Sequence, residues 1–217
     1  MKEKPILFSG PMVRAILEDR KTQTRRVMKI QPRPHVDVSA GFVDGRYTDG
    51  AQFYKVPYGQ PGDRLWVRET FALWHRTSVE YSLEWDTITD KAADALEVYG
   101  QNIQIAYRAD GEDDSGWRPS IFMPRWASRI TLEITEVRVQ RLQDISEEDA
   151  KAEGVTQRSA STWHNYFEDC RLAYPHQSFA SLWQSINGTN KPGSTWDAWD
   201  ANPWVWAITF KRVGVQE

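Results

Sequence analysis

Apolar positions come first in a short run, Pro5-Ile-Leu-Phe8, and then at a different spacing. Val13, Ile16 and Leu17 recur at i, i+3 and i+4, which is one narrow face of a helix. Ser9 stands where it can cap that helix, and Pro11 falls in its first turn, where a missing N–H costs nothing. Asp19-Arg-Lys21 ends the helix, and Thr22–Val27 has strand-like residues. Residues 31–62 carry Pro and Gly too often for a long regular element and predict a loop excursion. Arg64–Phe71 reads as a strand. The acidic stretch from Glu80 to Asp114 is weakly patterned, with one strand expected over Ile103–Arg108. Arg129–Leu142 is the clearest strand region, and its apolar phase shifts between Ile134 and Val137, which predicts a bulge or two joined strands. Ser146 followed by Asp149 resembles a capping box, with Gly154 as the stop of a short helix. Phe179, Leu182, Trp183 and Ile186 share one face of a later helix ending at Asn187-Gly188, and Trp204–Lys211 closes the chain as a strand. There is no internal repeat. The mixture predicts a strand-rich α+β domain and not alternating βαβ units.

Composition narrows the chemistry. With 217 residues, 40% hydrophobic and 26% charged, the chain is expected to fold as one domain with a real core. Cys170 is the single cysteine, so an internal disulfide framework and a cysteine zinc knuckle are excluded, and a reducing, cytoplasmic setting is expected. No apolar run reaches the roughly 20 residues that span a bilayer, and the apolar start is too short for a secretory signal. The four His (35, 75, 164 and 176) are scattered, so no metal site is expected. No phosphate loop, dinucleotide fingerprint or Gly-x-Ser-x-Gly elbow is present, and no cofactor is expected. Of the 11 Trp, Trp66, Trp183, Trp204 and Trp206 fall on element faces and are assigned to the core. Trp196 and Trp199 lie in the turn-rich stretch 193–203, where a lid or stacking platform competes with simple packing of the loop.

A net charge of -3 argues against indiscriminate nucleic-acid binding through bulk charge. The local count differs. Arg14, Arg20, Lys21, Arg25, Arg26 and Lys29 crowd into Gly10–Lys29 against only Glu18 and Asp19. A second set, Arg118, Arg125 and Arg129, is interleaved with Trp117, Phe122 and Trp126, a combination suited to phosphate contacts with base stacking. Arg14, Arg25, Arg118, Arg125 and Arg129 are therefore candidate nucleic-acid contacts, with a solvated basic face as the bland alternative.

The segment Ile16-Leu-Glu-Asp-Arg-Lys-Thr-Gln-Thr-Arg-Arg26 resembles the signature of the ASCH domain, a member of the PUA-like β-barrel superfamily. In the family pattern Gly-x-Lys-x-x-Glu-x-Arg, Lys21 and Arg26 match, Asp19 replaces the Gly and Thr24 replaces the Glu. Gly62–Glu69, the strand ending at Leu142 with the helix after it, and the strand Trp204–Lys211 agree with the family layout; about half the chain is covered. The remainder is similar to longer ASCH proteins of bacteria and prophages. The resemblance implies a single PUA-like (ASCH) mixed β-barrel over residues 1–217, with peripheral helices and insertions near 31–62, 72–118 and 155–175. It also implies a link to RNA binding and modified bases. One bacterial subgroup removes the acetyl group from N4-acetylcytidine and carries Thr at the Glu position, as Thr24 does here. Its catalytic Lys, Thr and Glu correspond to Lys21, Thr24 and Glu153.

Amide hydrolysis needs a nucleophile, a proton acceptor and stabilisation of an oxyanion. Thr24 offers the hydroxyl, and Lys21 becomes a base if burial and neighbouring cations strip its proton. Glu153 is the orienting acid, and Arg20, Arg26, Glu69, Trp196 and Trp199 are candidate substrate contacts. Residues 21 and 24 face apart on a regular strand, so they cooperate only if Lys21 sits in the turn before it or the strand begins with a twist. Alternatives remain at this level: Lys21 as a helix-end cation, Thr24 as an ordinary strand residue, Glu69 in an ion pair with Arg68 or Arg64. The expected activity is an amidohydrolase acting on an N4-acylated cytosine nucleoside or related small amide. A non-catalytic RNA or modified-base reader is the second reading, and a ribonuclease the third.

Overall fold

A computed structural model of the chain describes residues 1–32, 42–43, 46–48, 53–75, 81–82, 103–111, 116–166, 170–188 and 198–213. Its centre is a five-stranded sheet in the order β1-β6-β10-β14-β2. The strands are β1 (Glu3–Leu7), β2 (Gln23–Val27), β6 (Arg64–Arg68), β10 (Thr131–Arg141) and β14 (Trp204–Val213). β1 and β6 run parallel, and the other neighbours are antiparallel. β10 and β14 form the long spine. The phase change in β10 is a bulge inside one continuous strand: the register shifts between Ile134 and Glu136. The extra residue lets Leu132 and Ile134 on one side of the bulge and Val137 and Val139 on the other all turn into the core.

The sheet curls until its two edges approach. No ladder joins β1 to β2 among the described residues, and so no closed barrel forms there. Instead the Arg26 guanidinium Nη2 donates to the Leu7 carbonyl at 2.6 Å, spanning the gap with a side chain.

Among the described residues three α-helices surround this sheet. α1 (Gly10–Leu17) begins after Ser9 with a proline in its first turn, and its N-cap Ser9 makes no side-chain capping bond. α2 (Glu147–Ala152) is capped by Ser146, whose Oγ accepts the Asp149 N–H at 3.1 Å. α3 (Pro175–Asn187) buries Phe179, Leu182 and Trp183. Ile186, expected on the same buried face, is instead 60% exposed. Trp66, Trp183, Trp204 and Trp206 are buried as expected.

The insertions have structure of their own. The 31–62 excursion, expected as loop, contains the antiparallel strands β3 (Phe42–Val43), β4 (Arg46–Thr48) and β5 (Phe53–Lys55). The strand expected over Arg64–Phe71 breaks at Glu69-Thr70, and β7 (Phe71–His75) pairs with β8 (Tyr81–Ser82) and β9 (Ile103–Tyr107) in a separate sheet. That sheet has its own small core of Phe71, Leu73, Met123 and Ala127, with Trp126 packed against it. A third small sheet consists of β11 (Gln157–Ser159), β12 (Thr162–His164) and β13 (Arg171–Leu172). The whole is a sheet-rich α+β structure with few helices. Among the described residues no helix is long and apolar enough to cross a membrane.

Candidate functional site

The site forms where the turn after α1 meets the end of α2. Lys21 precedes β2 and makes an isolated antiparallel bridge to Glu153, the C-cap residue of α2. Both anchors are backbone bonds: Lys21 N–H donates to Ala15 O and Thr22 N–H to Ala152 O, each at 2.9 Å. Asp19 sets up the turn with a φ of 55°, in the left-handed region. A glycine adopts that conformation freely, and Asp tolerates it better than most residues. Gly154 holds the other side with a φ of 85°, and a Cβ there would lie 2.9 Å from Lys21 Cβ. This glycine stops α2 and also allows the close approach of the two segments.

Lys21 and Glu153 are fully enclosed. The Lys21 ammonium donates to the Glu153 carbonyl and to its Oε2, both at 2.8 Å. Two of its three N–H bonds are used, which leaves one for a ligand. Burial pushes the Lys21 pKa below its ordinary value; Glu153 opposes the change, and Arg26 and Arg25 add to it. Arg25 reaches the same carboxylate from β2, donating from Nη1 to Glu153 Oε1 at 3.0 Å and from Nη2 to Asp149 Oδ2 at 2.7 Å. Asp149 also receives Arg138 Nη2 at 3.0 Å and Gln23 Nε2 at 3.1 Å. Burial raises the Asp149 pKa, but Arg25, Arg138 and these hydrogen bonds outweigh it and hold the carboxyl below its ordinary range.

A cavity of about 180 Å³ opens onto this network. Its polar side is Lys21, Thr24, Arg25, Arg26 and Glu153, and its apolar side includes Phe8, Met12, Phe179, Leu182 and Trp183. Thr24 and Lys21 therefore share one cavity because Lys21 sits in the turn before the strand, one of the two arrangements their spacing allowed. Arg26 stacks over the Phe8 ring at 5.3 Å, and its Nε is buried without a partner. Exposed Leu7, Val27 and Ile186 line the cavity as well. The volume lies below the roughly 300 Å³ typical of drug-sized sites, so only part of a nucleoside-sized ligand, such as one ring with a short acyl group, fits inside it.

Other expected site residues lie elsewhere. Glu69 does not line this cavity: it is 1% exposed and bound bidentately by Arg129 at 3.0 Å, so its partner is neither Arg68 nor Arg64. Burial pushes the Glu69 pKa up against the pull of Arg129. Arg20 is bound to Glu18 and to the Gly154 carbonyl outside the cavity. Trp199 packs edge-on against Phe179 and the main core and is no lid; its backbone N–H donates to Gln184 Oε1. Trp196 lies outside the described residues.

The cations expected to contact nucleic acid do not form one basic face. Arg25 has a fully buried side chain spent on Glu153 and Asp149. Arg14 donates to the Ala109 carbonyl, and Arg125 pairs with Glu3. Arg129 is held by Glu69 and Asp110, and Arg118 is paired through its backbone with Phe71. Asp149 and Gln23 are part of the network although the sequence pattern assigned them no such role. The available signal was spacing: Asp149 and Glu153 lie at i and i+4, and Gln23 and Arg25 at alternate strand positions. Among the described residues no group of three His, Cys, Asp or Glu side chains is placed to hold a metal ion.

No protein-family model matches the chain, and neither a curated protein nor a solved structure matches it.

Proposed function

We propose that the protein is an ASCH-type, PUA-like amidohydrolase that cleaves the N4-acyl group of an acylated cytosine nucleoside or a related small amide. The observation that carries this reading is the enclosed Lys21–Glu153 pair opening onto a cavity that Thr24 also lines. A lysine whose pKa is lowered by burial gives up its proton more readily than a free one and so can accept a proton, and a hydroxyl in the same cavity is a nucleophile once deprotonated. In this mechanism Thr24 Oγ1 attacks the acyl carbonyl as Lys21 takes its proton. The tetrahedral oxyanion collapses with cleavage of the C–N bond, and Lys21 returns the proton to the departing cytosine amine. Water then hydrolyses the threonine ester, releasing the carboxylic acid and restoring the hydroxyl. Glu153 keeps the amine aimed, and Arg25 keeps Glu153 in place. Arg26 supplies positive charge beside the developing oxyanion. The apolar wall from α3 suits a flat base or an acyl chain.

The test is incubation with N4-acetylcytidine while the ultraviolet spectrum is followed for cytidine. Turnover that disappears in Lys21→Ala and Thr24→Ala supports the reading. Absent turnover, or turnover unchanged in both variants, removes it. Tight binding of the nucleoside without turnover would favour a base reader using the same cavity.

A further inference from the structure

A second concave region shares no residue with this cavity. It is a groove of about 780 Å³ formed by Lys2, Lys4, Arg46, Phe53, Lys55, Val56, Gly59, Gln60 and Asp63. Four of these are cations contributed by the N-terminal segment and by β4 and β5. Arg46 and Lys55 are direct cross-strand partners, an arrangement that places two like charges opposite each other and destabilises an isolated hairpin. No described residue forms an ion pair with Lys2, Arg46 or Lys55. The single acid of the groove is already committed: Asp63 Oδ1 accepts the Lys2 N–H at 2.8 Å and Oδ2 the Gln60 N–H at 3.3 Å. Lys4 Nζ donates to the Pro57 carbonyl. Phe53 is 54% exposed, and the Arg46 guanidinium lies over its ring at 4.8 Å.

From this we infer that the groove is a binding site for the backbone of a single-stranded nucleic acid. Four cations around a concavity that has one acid among its lining residues attract phosphates, and an exposed ring beside a guanidinium gives one base a stacking platform. An acidic protein segment or an anionic lipid surface would use the cations but has no need of the aromatic plate. The site is distinct from the cavity. Lys2, Lys4, Ile6 and Phe8 fall on one face of the β1 segment, and Ile6, fully buried, separates the groove residues from Phe8 in the cavity wall. The inference therefore stands or falls separately from the amidohydrolase reading.

Fluorescence anisotropy with a labelled oligouridylate of about twelve nucleotides tests it. Binding at low salt should weaken steeply as salt rises. Arg46→Glu combined with Lys55→Glu should weaken it at least about tenfold, and the salt slope should fall by about 0.7 for each phosphate the variant no longer neutralises. Phe53→Ala, the mild variant, should weaken oligouridylate binding while leaving the salt slope unchanged. Arg46→Glu alone replaces a repulsive cross-strand pair with an attractive one, so it should raise Tm while weakening binding, a combination that a structural role for Arg46 would not produce. Turnover of free N4-acetylcytidine should be unchanged in all these variants. No binding at low salt, binding indifferent to the charge reversals, or equal affinity for duplex RNA, heparin or anionic phospholipid vesicles would overturn the inference.

Discussion

At the cavity, Lys21 and Arg25 meet Glu153 and Asp149 inside the protein, whereas at the groove Arg46 and Lys55 face each other with no described acid between them. The two regions hold positive charge in opposite ways. Buried cations must be matched by acids and hydrogen bonds, because removing one member leaves an uncompensated charge that costs about 3–5 kcal/mol. Surface cations have no such constraint and can stay unmatched until a partner arrives. Net charge hides both arrangements, since it averages over them. A cation density read along the sequence is therefore a poor guide to a binding face: Gly10–Lys29 is the densest basic stretch, yet Arg25 within it is spent internally.

The largest expected effect comes from removing one partner of the enclosed pair. Under the proposed mechanism Lys21→Met should abolish N4-acetylcytidine turnover, a loss of about 10²–10⁴-fold or more being usual for a proton acceptor, and it should lower the unfolding free energy by about 3 kcal/mol in urea titration because the buried Glu153 carboxylate is left with Arg25 as its one cationic partner. A Lys21→Met protein that is fully stable would show that the pair is not the buried unit described. Next comes Arg25→Gln. It should destabilise the fold by about 2–3 kcal/mol, through loss of charge-assisted bonds to Glu153 and Asp149, and reduce kcat more than it raises KM. Should KM change alone, Arg25 would be a substrate contact and not a positioning residue.

Gly154→Ala combines a positive φ with a Cβ clash at Lys21, so it should cost about 1–3 kcal/mol and lower turnover by displacing the lysine. Unchanged kinetics would show that the turn absorbs the shift. A pH profile sharpens the comparison further. The Lys21 pKa lies below its ordinary value of 10.5, so between the two values the unfolded chain holds more protons than the folded one and stability rises with pH. Turnover should rise through the depressed Lys21 pKa over the same direction of pH. Asp149 acts at the acid end. Its stabilising contribution is present above the ordinary 3.8 and is lost as pH falls through its depressed folded value, so Asp149→Asn should flatten the acid limb of a Tm-versus-pH curve. The smallest effect belongs to Asp19→Gly, which relaxes a positive φ and removes one exposed pair with Arg212; a Tm within a few degrees of wild type is expected.

Much of the fold was legible in the sequence. The bulge in β10 followed from the phase change after Ile134, the cap at Ser146 from its spacing to Asp149, and the close of α2 from Gly154. Each is a local rule in which a few neighbouring residues settle the backbone. Other expectations failed where distant partners decide. Glu69 ends its apolar strand as read, but its partner Arg129 lies 60 residues away. For Trp199 the sequence left a lid and simple packing of the loop open, and contacts with Phe179 and Gln184, distant in the chain, decided for packing against the core. The short strands inside 31–62 carry too few residues for periodicity to reveal them, and they exist by pairing with one another.

By itself, then, the sequence determined the α+β class and the main strands and helices, while Lys21, Thr24 and Glu153 entered as a candidate set only through a resemblance to the ASCH pattern. Apolar period and turn chemistry act over a few residues, so they are written locally. Only the tertiary structure decided that Lys21 and Glu153 meet, that Thr24 lines the same cavity, that Arg25 is committed to acids, and that Arg46 and Lys55 are left facing each other. Charge pairing depends on which side chains the fold brings within a few ångströms, and separation along the chain carries no record of that distance.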